Sequence, residues 1–166
     1  MRSFIQFFLF LLAAVCAQAA EPITNFNVVL LQPSAIMEER VADIDAMADY
    51  IKAVQVAARE AVVASGATQA VGGFIVLAVK PGHRAKVWLD FDTLLDLEMR
   101  KQITHRVKAI APFAVTEGPV VFALKVATWD AKESKRVAPS PIEWKKATPK
   151  GKPLEIGKLV EKVWND

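Results

Sequence analysis

The run from Val71 to Val79 contains no polar side chain. Phe74, Val76 and Ala78 fall on one alternating face and Ile75, Leu77 and Val79 on the other. A strand of that composition is buried on both sides or central in its sheet. Gly72-Gly73 loosens its start. Lys80-Pro81-Gly82-His83-Arg84 supplies turn residues, and the next run sets Val87, Leu89 and Phe91 against Lys86, Trp88 and Asp90. The two runs form a β-hairpin.

The flanking segments extend this hairpin into a domain. Phe26 to Leu31 reads as a strand closed by Gln32-Pro33. A long helix follows, with Ser34 as N-cap, Glu38 and Glu39 in its first turns and Gly66 just past its end. Ile44, Met47, Ile51, Val54, Ala58 and Ala61 recur on one side of it. After the hairpin, Thr93 to Asp96 resembles a capping box. A second helix carries Leu95, Met99, Ile103, Val107 and Ile110 on one face, with Asp96 and Arg100 spaced to pair, and Pro112 ends it. Gly118-Pro119 opens a strand from Val120 to about Trp129. The order β-α-β-β-α-β is the split βαβ pattern of ferredoxin-like folds, so the expected class is α+β, an antiparallel sheet with two helices on one face. Past Trp129 the composition changes. Pro139, Pro141, Pro149 and Pro153 break regular structure and lysines dominate, leaving an extended C-terminal tail over 130–166 with one short helix within Leu154 to Trp164. The α+β domain is expected over residues 20–129.

The start of the chain bears on its location. Arg2 is followed by the apolar run Phe4 to Val15 and by Ala17-Gln18-Ala19, the three parts of a signal peptide spanning residues 1–19. The apolar run is shorter than the roughly 20 residues needed to cross a bilayer. Cys16 is preceded by Val15, where a lipidated cysteine normally follows a small residue. Cys16 is also the only cysteine, so cleavage leaves a domain with no disulfide, standing on its hydrophobic core. The chain is expected to be exported, periplasmic or secreted, from a bacterium. Its formal charge of +3 is too balanced for a nucleic-acid partner. The charges are unevenly spread: Glu38, Glu39, Asp43, Asp45 and Asp49 cluster near the start, and Lys132, Lys135, Lys145, Lys146, Lys150, Lys152, Lys158 and Lys162, with Arg136 among them, near the end.

Little in the chain suggests catalysis. Beyond the signal segment the serines are Ser34, Ser65, Ser134 and Ser140, and none sits in a nucleophile elbow. His83 lies in the hairpin turn and His105 among polar residues of the second helix, both reading as solvated. Asp90 and Asp92, followed by Asp96 and Glu98, are the best candidate for a hard cation or an acid/base pair, although strand and cap positions already account for them. No phosphate loop, dinucleotide fingerprint or zinc spacing is present, and no cofactor is expected.

From Gly72 to Trp129, a glycine before a hairpin, Pro81-Gly82 in its turn, a helix, Pro112-Phe113 and Gly118-Pro119-Val120 entering a last strand resemble the carboxy-terminal domains of TonB-type proteins. The resemblance covers about a third of the chain and implies an envelope domain that pairs edge strands. It carries over no functional residue. The leading expectation is a non-catalytic accessory, adaptor or inhibitor that binds another protein or an envelope component through edge strands and the tail, with Trp144, Lys145, Lys146 and Trp164 as binding residues. The alternatives are a hydrolase or metal-dependent enzyme using Asp90, Asp92 and His105, and peripheral attachment of the basic tail to anionic lipid or polymer without integral insertion. No feature specifies an oligomeric state.

Overall fold

The computed structural model describes residues 20–148 and 154–164; the expected signal peptide lies outside them. Among the described residues there are four strands: β1 (Ile23–Leu30), β2 (Val71–Lys80), β3 (Arg84–Phe91) and β4 (Val120–Thr128). They form one antiparallel sheet in the order β1-β4-β2-β3. Each β-α-β crossover is split by a strand of the other half, as β4 lies between β1 and β2, and β2 between β3 and β4. The central pair is β2 and β4, so the α+β class and antiparallel sheet are found, whereas the ferredoxin-like order, with the first and third strands at the centre, is not.

One face of the sheet carries the expected helices, but the first is interrupted. Helix α1 (Ser34–Arg40) stops, and α2 (Ile44–Ala64) restarts under a new cap, the Asp43 carboxylate accepting from the Ala46 N–H at 2.9 Å. Between them Val41 is extended and bridges Val115. Arg40 donates from Nη1 to the Pro119 carbonyl at 2.7 Å, and its own carbonyl accepts from the Thr116 N–H. Helix cannot continue through a segment whose backbone is committed to a neighbouring loop. Ser34 is consequently not the N-cap: Pro33 holds that position without a side-chain bond. Ile44 is exposed, and the buried stripe of α2 runs through Met47, Tyr50, Val54, Ala57, Ala58, Ala61 and Val62. Helix α3 (Leu97–Lys108) is capped by Asp96, whose carboxylate accepts from the Glu98 and Met99 N–H groups. That cap replaces the Thr93-based box, and no Asp96–Arg100 side-chain pair forms among the described residues.

The second face is where the fold departs most from expectation. The described residues past Trp129, 130–148 and 154–164, do not run extended into solvent. They turn back and form α4 (Ile142–Ala147) and α5 (Ile156–Val163), which cover the sheet's other face. Trp144, Leu159, Val160 and Val163 pack on Phe74, Val76, Ala78, Trp88, Val121 and Ala123. The molecule is thus three layers, α2/α3, sheet, and α4/α5, with apolar clusters on both sides of β2 and β4. The short helix expected after Leu154 corresponds to α5.

The reversal occurs at a corner with two left-handed residues, Trp129 (φ 50°) and Asp130 (φ 58°), a conformation that costs non-glycine residues energy and persists only where surroundings hold it. Here the Trp129 amide donates to the Pro22 carbonyl and its indole Nε1 to the Ala67 carbonyl at 2.7 Å, while Asp130 Oδ1 accepts from the Glu21 N–H. The returning chain crosses Gly72 so closely that a Cβ there would lie 2.6 Å from the Lys132 carbonyl oxygen and 2.7 Å from the Ser134 nitrogen. Gly72 is a crossing point, not a loosened strand start.

Candidate functional site

The two sheet edges differ. On β1 the register with β4 slips between Asn25 and Asn27, a bulge that twists an edge away from further pairing. On β3 the register with β2 is unbroken from Gly73↔Phe91 to Lys80↔Arg84. The Asp92 N–H donates to the Gly72 carbonyl at 2.9 Å, which makes Gly72 and Asp92 a hydrogen-bonded pair and, by alternation, directs the backbone groups of Asp90, Trp88 and Lys86 at β2. Those of Ala85, Val87, Leu89 and Phe91 therefore point outward. Among the described residues β3 pairs with β2 alone, and no other backbone group meets the outward set.

This open edge forms the floor of a groove of about 470 Å³. One wall comes from the α3 layer, with Leu94, Leu95, Arg100 and Thr104. The other comes from the α4 layer, with Pro141, Ile142 and Glu143. Leu94 and Ile142 are 77% and 68% exposed, unusual for large apolar side chains on facing walls. The Trp88 indole donates to Glu143 Oε2 at 2.7 Å, fixing the second wall to the strand.

The acidic pair at the end of β3 has a structural occupation. Arg136 donates from Nη1 to Asp90 Oδ2 at 2.7 Å, from Nε to Asp92 Oδ1 at 3.0 Å and from Nη2 to the Asp90 carbonyl. Ser140 N–H also donates to Asp90, and the buried Ser134 hydroxyl to Asp92. A metal or substrate at this pair would have to displace a guanidinium already neutralising it. His105, exposed on α3, shares no hydrogen bond with either acid, and no cluster of three or more His, Cys, Asp or Glu among the described residues is placed to hold a metal. His83 is exposed in the turn, with Nδ1 2.9 Å from the Pro112 carbonyl.

The expected binding residues separate into two kinds. Trp144 is 3% exposed and meets Trp88 edge-on, with ring centroids 5.4 Å apart, so it is core rather than a recognition residue. Trp164 is half-buried beneath the Lys80 ammonium, which lies 4.4 Å from its ring centroid and pairs with Glu161. Lys145 and Lys146 are exposed in the last turn of α4. Further ties run from Lys86 Nζ to the Val163 carbonyl at 2.7 Å and from Lys125 to Glu133 at 3.0 Å. Cations on the sheet thus meet acceptors in the returning chain. At the start of α5 the Glu155 carboxylate accepts from the Gly157 and Lys158 N–H groups. Partial burial acts to raise its pKa, but these bonds, Gln32 and the nearby Arg40 charge outweigh that, and the net shift is downward.

No described helix is long and apolar enough to cross a membrane. No protein-family model, curated protein or solved structure matches the chain, and the site rests on its geometry.

Proposed function

We propose that this protein is exported, loses residues 1–19, and acts in the bacterial envelope as a non-catalytic binding module that takes an extended segment of a partner protein as an added strand along β3. The observation that carries the reading is the regular, unpaired β3 edge lying between two walls, α3 on one side and the start of α4 on the other. An incoming strand would pair with the outward groups of Val87, Leu89 and Phe91, and its alternating side chains would meet the two walls in turn. The resemblance to TonB-type domains points the same way.

Two measurements test it. Protein recovered from the native envelope is expected to begin at Ala20 by intact mass; a chain retaining Met1 would contradict export with cleavage. For binding, short unstructured peptides are selected from a phage-displayed library on the purified domain. Leu89→Pro removes an outward N–H without deleting a ladder bond to β2, so it is expected to lose the selected peptides while retaining a cooperative thermal transition. Undiminished binding by a folded Leu89→Pro protein would sink strand addition at this edge.

A further inference from the structure

Every acid lining the β3 groove already has a partner: Asp90 and Asp92 have Arg136, and Glu143 has the Trp88 indole, with Lys86 3.9 Å away. The cation in the groove does not. Arg100 lies on α3 among the lining residues, half-buried, and its side chain forms no hydrogen bond or ion pair among the described residues. Two other cations of α3 are paired: Lys101 meets Glu98 at 4.0 Å and Arg106 meets Glu60 at 3.5 Å. Asp96, the acid spaced to neutralise Arg100, spends its carboxylate on the helix cap instead.

From this we infer that the segment bound along β3 carries a carboxylate that pairs with Arg100, flanked by apolar side chains. The inference rests on the strand-addition reading and adds the chemistry of the partner. An added strand sends alternate side chains to opposite faces. A side chain directed at the α3 wall meets Arg100 and Thr104, and its immediate neighbours are directed at Pro141 and Ile142. The favoured ligand is therefore an extended stretch with Asp or Glu between two apolar residues, the acid held by a charge-assisted bond to the guanidinium. A basic segment would set its charge against Arg100 and be rejected.

The test compares peptides selected from one phage-displayed library by the wild-type protein, Arg100→Gln and Arg100→Glu, each first shown to melt cooperatively. The wild type is expected to enrich Asp or Glu at one position between apolar residues. Replacing that acid by Asn in the selected peptide, or Arg100 by Gln, should each weaken binding about tenfold, the two losses not adding. Arg100→Glu should enrich Lys or Arg at the same position. If Arg100→Glu does not fold, the Arg100→Gln and Asn-peptide pair, with its non-additivity, decides alone. Peptides that protect the β3 amides yet show no acid preference, or lose nothing in Arg100→Gln, overturn the Arg100 assignment and leave strand addition standing. Failure of all three proteins to select any peptide overturns both.

Discussion

Tyr50 shows how a single side chain can cost this fold stability. It is 4% exposed and packs edge-on to Phe113 at 5.7 Å, yet its hydroxyl has no hydrogen-bond partner among the described residues. Burial pushes its pKa up to about 12 from 10.0. Because the folded-state value is raised, the associated stability is whole below the unfolded value and is lost as pH climbs from 10 through 12. Tyr50→Phe is therefore expected to be neutral to stabilising by about 1 kcal/mol at pH 7 and to flatten the alkaline decline, read by urea melts across that range. A loss comparable to a core truncation would show that the hydroxyl has a partner. Other residue-scale features are visible only in three dimensions. Gly72 and Gly73 announce backbone freedom in the sequence, but their reason is proximity, the chain at 132–134 against one and Phe91 against the other. Arg136 reads as one more basic tail residue, yet it occupies the acids that looked most capable of chemistry, a contact spanning 46 residues for Asp90.

At the scale of elements, what could be read ahead of the structure was whatever local periodicity encodes. The strands β2, β3 and β4, the buried faces of α2 and α3, and the two-sided burial of β2 all follow from alternation or helical spacing. The break between α1 and α2 does not, because it depends on Val41 bridging Val115 from a distant loop. Helix α4 is missed because it is only six residues long, directly after Pro141, and shows little periodicity. Its existence was nevertheless implied: Phe74, Val76 and Ala78 on β2 and Trp88 on β3 face away from α2 and α3 and require cover. The returning chain supplies it. Trp144→Ala should consequently act as a core truncation, lowering stability by about 3–5 kcal/mol in denaturant melts. A folded, equally stable Trp144→Ala protein would restore Trp144 to the role of an exposed recognition residue. A chain ended at Trp129 would bare the second apolar cluster and is expected to lose stability for that reason alone.

Taken as a whole, the three-layer arrangement explains why the candidate site could not be located from the sequence. The β3 groove has its floor on one hairpin strand, one wall on the α3 layer and the other at Pro141, Ile142 and Glu143, and these meet only once the chain has reversed at Trp129 and Asp130. Contact through edge strands and the tail was the expectation, with the named binding residues all in the tail, whereas the structure makes the described tail a layer and leaves an opening beside it. An unpaired, regular edge is a liability in a protein left alone, and on the proposed reading the two walls limit that liability by shaping the opening for a single added strand. Hydrogen exchange followed amide by amide on the full domain tests this most directly. In the free protein the amides of Lys86, Trp88 and Asp90 should exchange slowly and those of Val87 and Leu89 faster, and a library-selected peptide should slow Val87 and Leu89 selectively. Amides at Val87 and Leu89 already as protected as their neighbours, or unchanged when the peptide is bound, would contradict the account.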